Sequence, residues 1–207
     1  MTMAKVTGKR KANAGKASGP KVILASASPR RRELLKKIVP RFEVVPSGVD
    51  EERFRGLEPN AFALEAALAK AKAVGRKHPS SLIIAADTLV LLGDQVFGKP
   101  ASRDQARAML AKLSGKTHKV ITAVVLYRKD RGRVLAGLEM SRVTFKRLGR
   151  KVIEDYLDSS EFLDKAGAYA IQESGDTLVA RLEGDFDNVV GLPIALLQHL
   201  LGSDRAI

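Results

Sequence analysis

The 207-residue chain contains no cysteine and no tryptophan. A disulfide framework and a thiolate metal site are therefore excluded. Aromatic residues make up 5% of the chain and three of them are tyrosine. That leaves no interleaving of aromatic and basic residues of the kind that stacks nucleic-acid bases, which argues against nucleic acid as a partner. His78, His118 and His199 are not paired at ligand spacing, which argues against zinc. The longest apolar run, Leu82 to Leu92, contains Asp87 and Thr88. It is too short and too polar to cross a bilayer, so no membrane partner is expected.

What the chain has in excess is positive charge: 36 Lys and Arg against 23 Asp and Glu, a net +13. Residues 1 to 21 hold Lys5, Lys9, Arg10, Lys11, Lys16 and Lys21 and no acid, which leaves 30 basic against 23 acidic residues, or +7, for the rest. Residues 1–20 are rich in Gly, Ala and Ser without apolar periodicity, and read as a disordered basic arm. A solvated tail is the simpler reading of that arm than a nucleic-acid contact. It lacks the apolar core of a secretory signal, so the cytoplasm is the expected location. Residues 21–207 then form the folded domain, one unit or two small lobes sharing a core. Their residual +7 favours polyanionic ligands, of which phosphates are the commonest.

Strand and helix signals alternate. Lys21 to Ala25 reads as a short buried strand. Ser28 and Pro29 then supply an N-cap and a first helical residue. Phe42 to Val45 reads as a strand and residues 47–58 as loop. A helix is expected from Pro59 to about Val74, and a strand buried on both faces from Leu82 to Leu92. Ser102 and Gln105 form a capping box before Ala106, Met109, Leu110 and Leu113, spaced as one helical face. Val120–Tyr127 and Val134–Phe145 read as an antiparallel pair. A short helix around Val152–Leu157, a strand at Leu178–Leu182 and a closing helix at Pro193–Leu201 complete the pattern. The expectation is an α/β fold, a mixed twisted sheet flanked by helices.

Four features bear on chemistry. Arg30 and Arg31 stand in the first turn of a capped helix, where acids are normally preferred; a bound anion resolves that conflict, and a solvated basic face is the alternative. Asp87 and Thr88 interrupt an apolar strand, where a carboxylate requires a metal, a base role or a salt bridge. Gly98-Lys99-Pro100 follows a turn and is weak alone. In Asp164-Lys165-Ala166-Gly167-Ala168-Tyr169-Ala170-Ile171-Gln172, small residues alternate with an aromatic and an amide. This suits a backbone packed against a ligand, although a loop-to-strand connection explains it as well. Ser114-Gly115-Lys116-Thr117 imitates the end of a P-loop, but Leu110 stands where the first glycine is needed. No dinucleotide fingerprint and no serine nucleophile elbow is present.

In order, the sequence resembles the Maf family of nucleoside triphosphate pyrophosphatases. The opening block is Ile23-Leu24-Ala25-Ser26-x-Ser28-Pro29-Arg30-Arg31-x-Glu33-Leu34-Leu35. Ala86-Asp87-Thr88, Gly98-Lys99-Pro100 and the block from Leu113 to Val124 follow. The Asp164–Gln172 block and Val190-Gly191-Leu192-Pro193 close the series, so the resemblance spans residues 22 to about 201. Ile171-Gln172 resembles the branch that acts on dTTP and UTP; the alternative branch acts on 7-methyl-GTP.

The resemblance implies two lobes around a deep cleft, usually a homodimer, and attack of water on the α-phosphate. It implies Asp87 as the base, and Ser26, Arg31, Lys70 and Lys99 on the phosphates. Glu51 and Asp87 are implied as ligands for Mg2+ or Mn2+, and Arg30, Thr88 and Gln172 as selectors of the base. Lys70 lies in Ala-Leu-Ala-Lys-Ala-Lys-Ala-Val, where Lys72 offers a second register for the family pattern. A basic nucleic-acid-binding protein, or a regulator of cell division, is the competing reading.

Overall fold

The computed structural model describes residues 20–203. Residues 1–19 of the basic arm at 1–20 lie outside the described residues. The elements are β1 (Val22–Leu24), α1 (Pro29–Lys36), β2 (Glu43–Val44), α2 (Pro59–Gly75), β3 (Leu82–Leu92), β4 (Gln95–Phe97), α3 (Arg103–Leu113), β5 (Thr117–Arg128), β6 (Arg133–Phe145), α4 (Arg150–Ser159), α5 (Ile171–Leu178), β7 (Val179–Glu183), α6 (Phe186–Val190) and α7 (Ile194–Ser203), with single 3-10 turns at Glu52–Phe54 and Ala166–Ala168. Among the described residues no helix is long and apolar enough to cross a membrane.

The seven strands form one mixed sheet in the order β2-β1-β3-β5-β6-β7, with β4 paired to β3. β1 runs parallel to β2 and β3; β3, β5, β6 and β7 are successively antiparallel. The period-2 alternation of β3 divides the core. Leu82, Ile84, Ala86 and Val90 pack with α1, α3, α4 and the C-terminal helices. Ile83, Ala85, Leu89 and Leu91 pack against the small residues of α2. Helices thus cover both faces, which explains why β3 is apolar throughout.

Capping follows the sequence. Ser28 accepts from the Arg31 amide at 3.4 Å, and Ser102 accepts from the Gln105 amide at 3.2 Å. Three elements have no counterpart in the sequence reading: β4, only three residues long; α6, only five; and the helix over residues 171–178.

One detail of pairing positions everything that follows. β5 holds one edge of β3 from Ile83 to Leu91. The other edge is shared: β1 takes Leu82–Ile84 and β4 takes Val90–Leu92. Between them the chain around Asp87 and Thr88 has no strand beside it. The sheet therefore opens at that point, and side chains from both of its faces reach the same gap.

Candidate active site

The gap leads into a cavity of about 410 Å3. Its lining includes Ser26, Arg30, Arg31, Glu51, Lys70, Asp87, Thr88, Lys99 and Gln172, so all nine residues singled out in the sequence meet at one place. They come from the end of β1, the first turn of α1, the loop before α2, α2 itself, the middle of β3, the loop after β4 and the first turn of α5.

At the centre lies a buried ion triplet. The Lys70 ammonium sits 2.6 Å from Asp87 Oδ1 and 2.5 Å from Glu51 Oε1. Lys70 and Asp87 are both almost wholly buried. The register is settled by helix geometry: Lys70 falls on the buried stripe of α2 with Ala63, Ala66, Ala67 and Val74, while Lys72 is exposed. Burial pushes the Asp87 carboxyl above its ordinary range, against the opposing pull of Lys70. Burial acts on Glu51 in the same sense, but Lys70, Lys99 and Arg31 together hold it below its ordinary value. Lys99 lies 3.6 Å from Glu51 Oε2. Asp87 Oδ2 is buried and has no hydrogen-bond partner. An ammonium has three N–H groups, and two of those on Lys70 face carboxylates, which leaves one for a ligand.

Arg31 forms a second anchored cation. Its Nε donates to Gly191 O at 2.8 Å, Nη1 to Ser26 Oγ at 3.4 Å and Nη2 to Thr88 Oγ1 at 3.0 Å. Two of its five N–H groups remain, one on each terminal nitrogen. The hydroxyls behind it form a directed chain. Thr122 Oγ1 donates to Asn188 O at 2.9 Å, so the Thr88 hydroxyl is the donor in its 3.0 Å contact with Thr122. Asn188 Nδ2 donates in turn to Val120 O and Ser141 Oγ. Thr88 thereby fixes Arg31 from behind. Gly191 is required at the other end: its φ is +118°, and a Cβ would lie 3.3 Å from Thr88 Oγ1 and 3.5 Å from Arg31 Nε.

The far wall is built by the block after Asp164. Arg30 Nη2 pairs with Asp164 Oδ2 at 3.2 Å. Gln172 is exposed in the first turn of α5. Tyr169 lines the cavity and its hydroxyl meets His118 Nε2 at 2.7 Å; Phe145 completes an edge-to-face cluster with both rings. Burial lowers the His118 pKa to about 4, so it is neutral at physiological pH. Lys165, Thr122 and Asn188 were not singled out individually as site residues in the sequence; Thr122 and Asn188 take partners far away along the chain, whereas Lys165 pairs nearby with Glu161, Asp164 and Glu173.

The Maf-like protein family matches residues 21–203. The chain belongs to the Maf family. A dTTP/UTP pyrophosphatase of Moorella thermoacetica is 48% identical over 181 residues, covering 87% of this chain and 93% of that protein. Those of Pyrococcus furiosus and Deinococcus radiodurans are 43% and 45% identical over 87% and 89% of this chain, covering 94% and 93% of theirs. Among solved structures, the Ham1 protein of Staphylococcus aureus matches 89% of this Maf chain and 99% of its own, with a TM-score of 0.52 at 16% identity. At that identity the likeness concerns the fold alone.

Proposed function

We propose that this Maf protein is a nucleoside triphosphate pyrophosphatase that hydrolyses dTTP and UTP to the monophosphate and pyrophosphate. The observation that carries the reading is Asp87: a buried carboxylate whose Oδ1 is pinned by Lys70 and whose Oδ2 is unpartnered in a cation-lined cavity. The activity named for the relatives supports the choice of substrate.

The triphosphate lies along Ser26, Arg31, Lys70 and Lys99. The two free N–H groups of Arg31 suit a bidentate phosphate contact, and Lys70 offers its third N–H as a point charge. Asp87 Oδ2 takes the proton of the water that attacks the α-phosphate. Burial raises the Asp87 pKa, which makes it a stronger base than an ordinary carboxylate, and the Lys70 contact opposes that shift by favouring the charged form. A divalent cation, Mg2+ or Mn2+, fits Glu51 and Asp87, which are hard oxygen donors with one unpartnered oxygen between them. Among the described residues no group of three or more His, Cys, Asp or Glu is arranged as a cage. A cation held by these two carboxylates would leave coordination positions for substrate phosphates and water. When bound, the cation neutralises phosphate charge in the transition state.

At the base end, Gln172 offers one donor and one acceptor to the edge of uracil or thymine. Arg30 bounds the same pocket, and Thr88 contributes by holding Arg31. The test is kcat/KM for dTTP, UTP, CTP, GTP and 7-methyl-GTP, with Mg2+ and with Mn2+, in the parent and in Gln172→Ala. The parent should favour dTTP and UTP, and Gln172→Ala should lose about 1–3 kcal/mol of kcat/KM on them. A parent that prefers 7-methyl-GTP refutes the assignment. A homodimeric state belongs to the same proposal, resting on the family resemblance, and light scattering on the purified chain tests it.

A further inference from the structure

Of the three lysines that line the cavity, two are buried, Lys70 and Lys165. Lysine is almost never fully buried unless it is paired, so each requires an explanation. Lys70 retains a free N–H. Lys165 does not: its ammonium faces the carbonyl oxygen of Glu161, Asp164 Oδ1 at 3.3 Å and Glu173 Oε2 at 3.4 Å. Three acceptors face three N–H groups, and none is left for a phosphate.

The partners of Lys165 lead elsewhere. Asp164 turns its other oxygen to Arg30 in the first turn of α1. Glu173 is the neighbour of Gln172 in the first turn of α5. The ion chain Arg30–Asp164–Lys165–Glu173 therefore ties together the two turns that flank the base end of the cavity. The backbone after Lys165 is equally constrained. Gly167 and Ala168 both have positive φ, and the Gly167 amide donates to Gly98 O at 3.0 Å. A left-handed alanine persists only where its surroundings over-determine it.

We infer that Lys165 is a positioning residue for nucleobase selection: it orients Asp164 and through it Arg30, and it fixes the α5 turn that presents Gln172. The inference rests on the reading above as a pyrophosphatase of pyrimidine triphosphates and adds to it a residue that touches no substrate.

The test is the ratio of kcat/KM for UTP to that for GTP in the parent, Lys165→Met and Glu173→Gln, with inorganic tripolyphosphate as a competitive probe of the phosphate end. Lys165→Met should reduce the ratio about tenfold, and Glu173→Gln, which loses one tether at a half-exposed side chain, about threefold. Tripolyphosphate inhibition should change less than the ratio does. A ratio unchanged in both variants overturns the inference while leaving the pyrophosphatase intact. Inhibition that weakens as much as kcat/KM overturns it too, by making Lys165 a phosphate ligand. A parent without pyrimidine preference overturns the substrate reading and this inference with it. Should Lys165→Met fail to fold, Glu173→Gln decides.

Discussion

His118 makes the stability of the protein fall in mild acid, and the size of the effect follows from its surroundings. The ring is 1% exposed, packed edge-on against Phe145 and Tyr169, with Nε2 at the Tyr169 hydroxyl and Nδ1 buried without a partner. No carboxylate is bonded to it, so burial alone sets its pKa at about 4 against an ordinary 6.5. A depressed folded-state pKa contributes stability that is present above the unfolded value and is lost as pH falls through the folded value. The window is therefore pH 6.5 down to about 4. At 1.36 kcal/mol per pH unit, the loss amounts to about 2 kcal/mol between pH 7 and pH 5, and about 3 kcal/mol in full. With a urea slope of about 2 kcal/mol/M, the unfolding midpoint falls by roughly 1 M over the same interval. Other groups titrate as well: burial raises Asp87, which opposes the trend. The informative quantity is thus the difference between the parent and His118→Phe, in which every other group is common. The variant should begin less stable, because the Tyr169 hydroxyl loses its partner, and should lose about 2 kcal/mol less between pH 7 and pH 5. Parallel midpoint-against-pH curves for the two proteins would refute the reasoning.

Other substitutions probe the cavity directly. Asp87→Asn should lose at least ~10²-fold in kcat with unchanged circular dichroism; near-normal turnover by the folded variant removes Asp87 as base. Gly191→Ala should cost about 1–3 kcal/mol in urea unfolding and raise KM more than it lowers kcat, since its Cβ crowds Thr88 and Arg31 at a left-handed φ. An unaltered midpoint and KM would contradict that. Thr122→Val should cost about 1–3 kcal/mol by unpairing Asn188 O and the Thr88 proton, and Thr122→Ser should restore most of it; equal losses in both would show that the hydroxyl does not matter.

The parts of the fold legible in the sequence are those with long, strong patterns. β3 reads as a strand buried on both faces because helices cover both sides of the sheet, and α3 reads from its cap and its four apolar positions. The parts that were missed are short or locally ambiguous. The five residues of α6 make little more than one turn, too few for a period to show. α5 carries Ser174, Gly175 and Thr177, poor helix formers that give no helical signal. Its helical state is imposed from outside: Ile171 and Leu178 are buried in the main core, and Lys165 ties down Glu173. β5 begins at Thr117, earlier than the apolar run, because polar Thr117 and Lys119 alternate with buried His118 and Val120 along a half-solvated pleat.

For the site, the division is between residues whose oddness is local and residues whose role depends on distant partners. Asp87 is conspicuous because a carboxylate within an apolar strand needs a partner whatever the fold. Lys70 carries a signal of the same kind, weaker than it could have been. Ala63, Ala66, Ala67, Lys70 and Val74 repeat at three- and four-residue spacing, and a lysine within such a stripe must bury its charge. Lys72 lies about 200° further round the helix, so periodicity alone separates the two registers. Thr122 and Asn188 have no such mark. Thr122 bonds to a residue 66 positions away, and Asn188 to one 68 positions away. Each is an ordinary polar residue until the sheet closes. What determines their roles is the split edge of β3. β1 ends at Leu24, opposite Ile84, and β4 ends at Phe97, opposite Val90, which leaves Asp87 and Thr88 with an open side. A longer β1 or β4 would pair that stretch and fill the cavity with backbone. The catalytic possibilities of the chain thus depend on two strands being only three residues long.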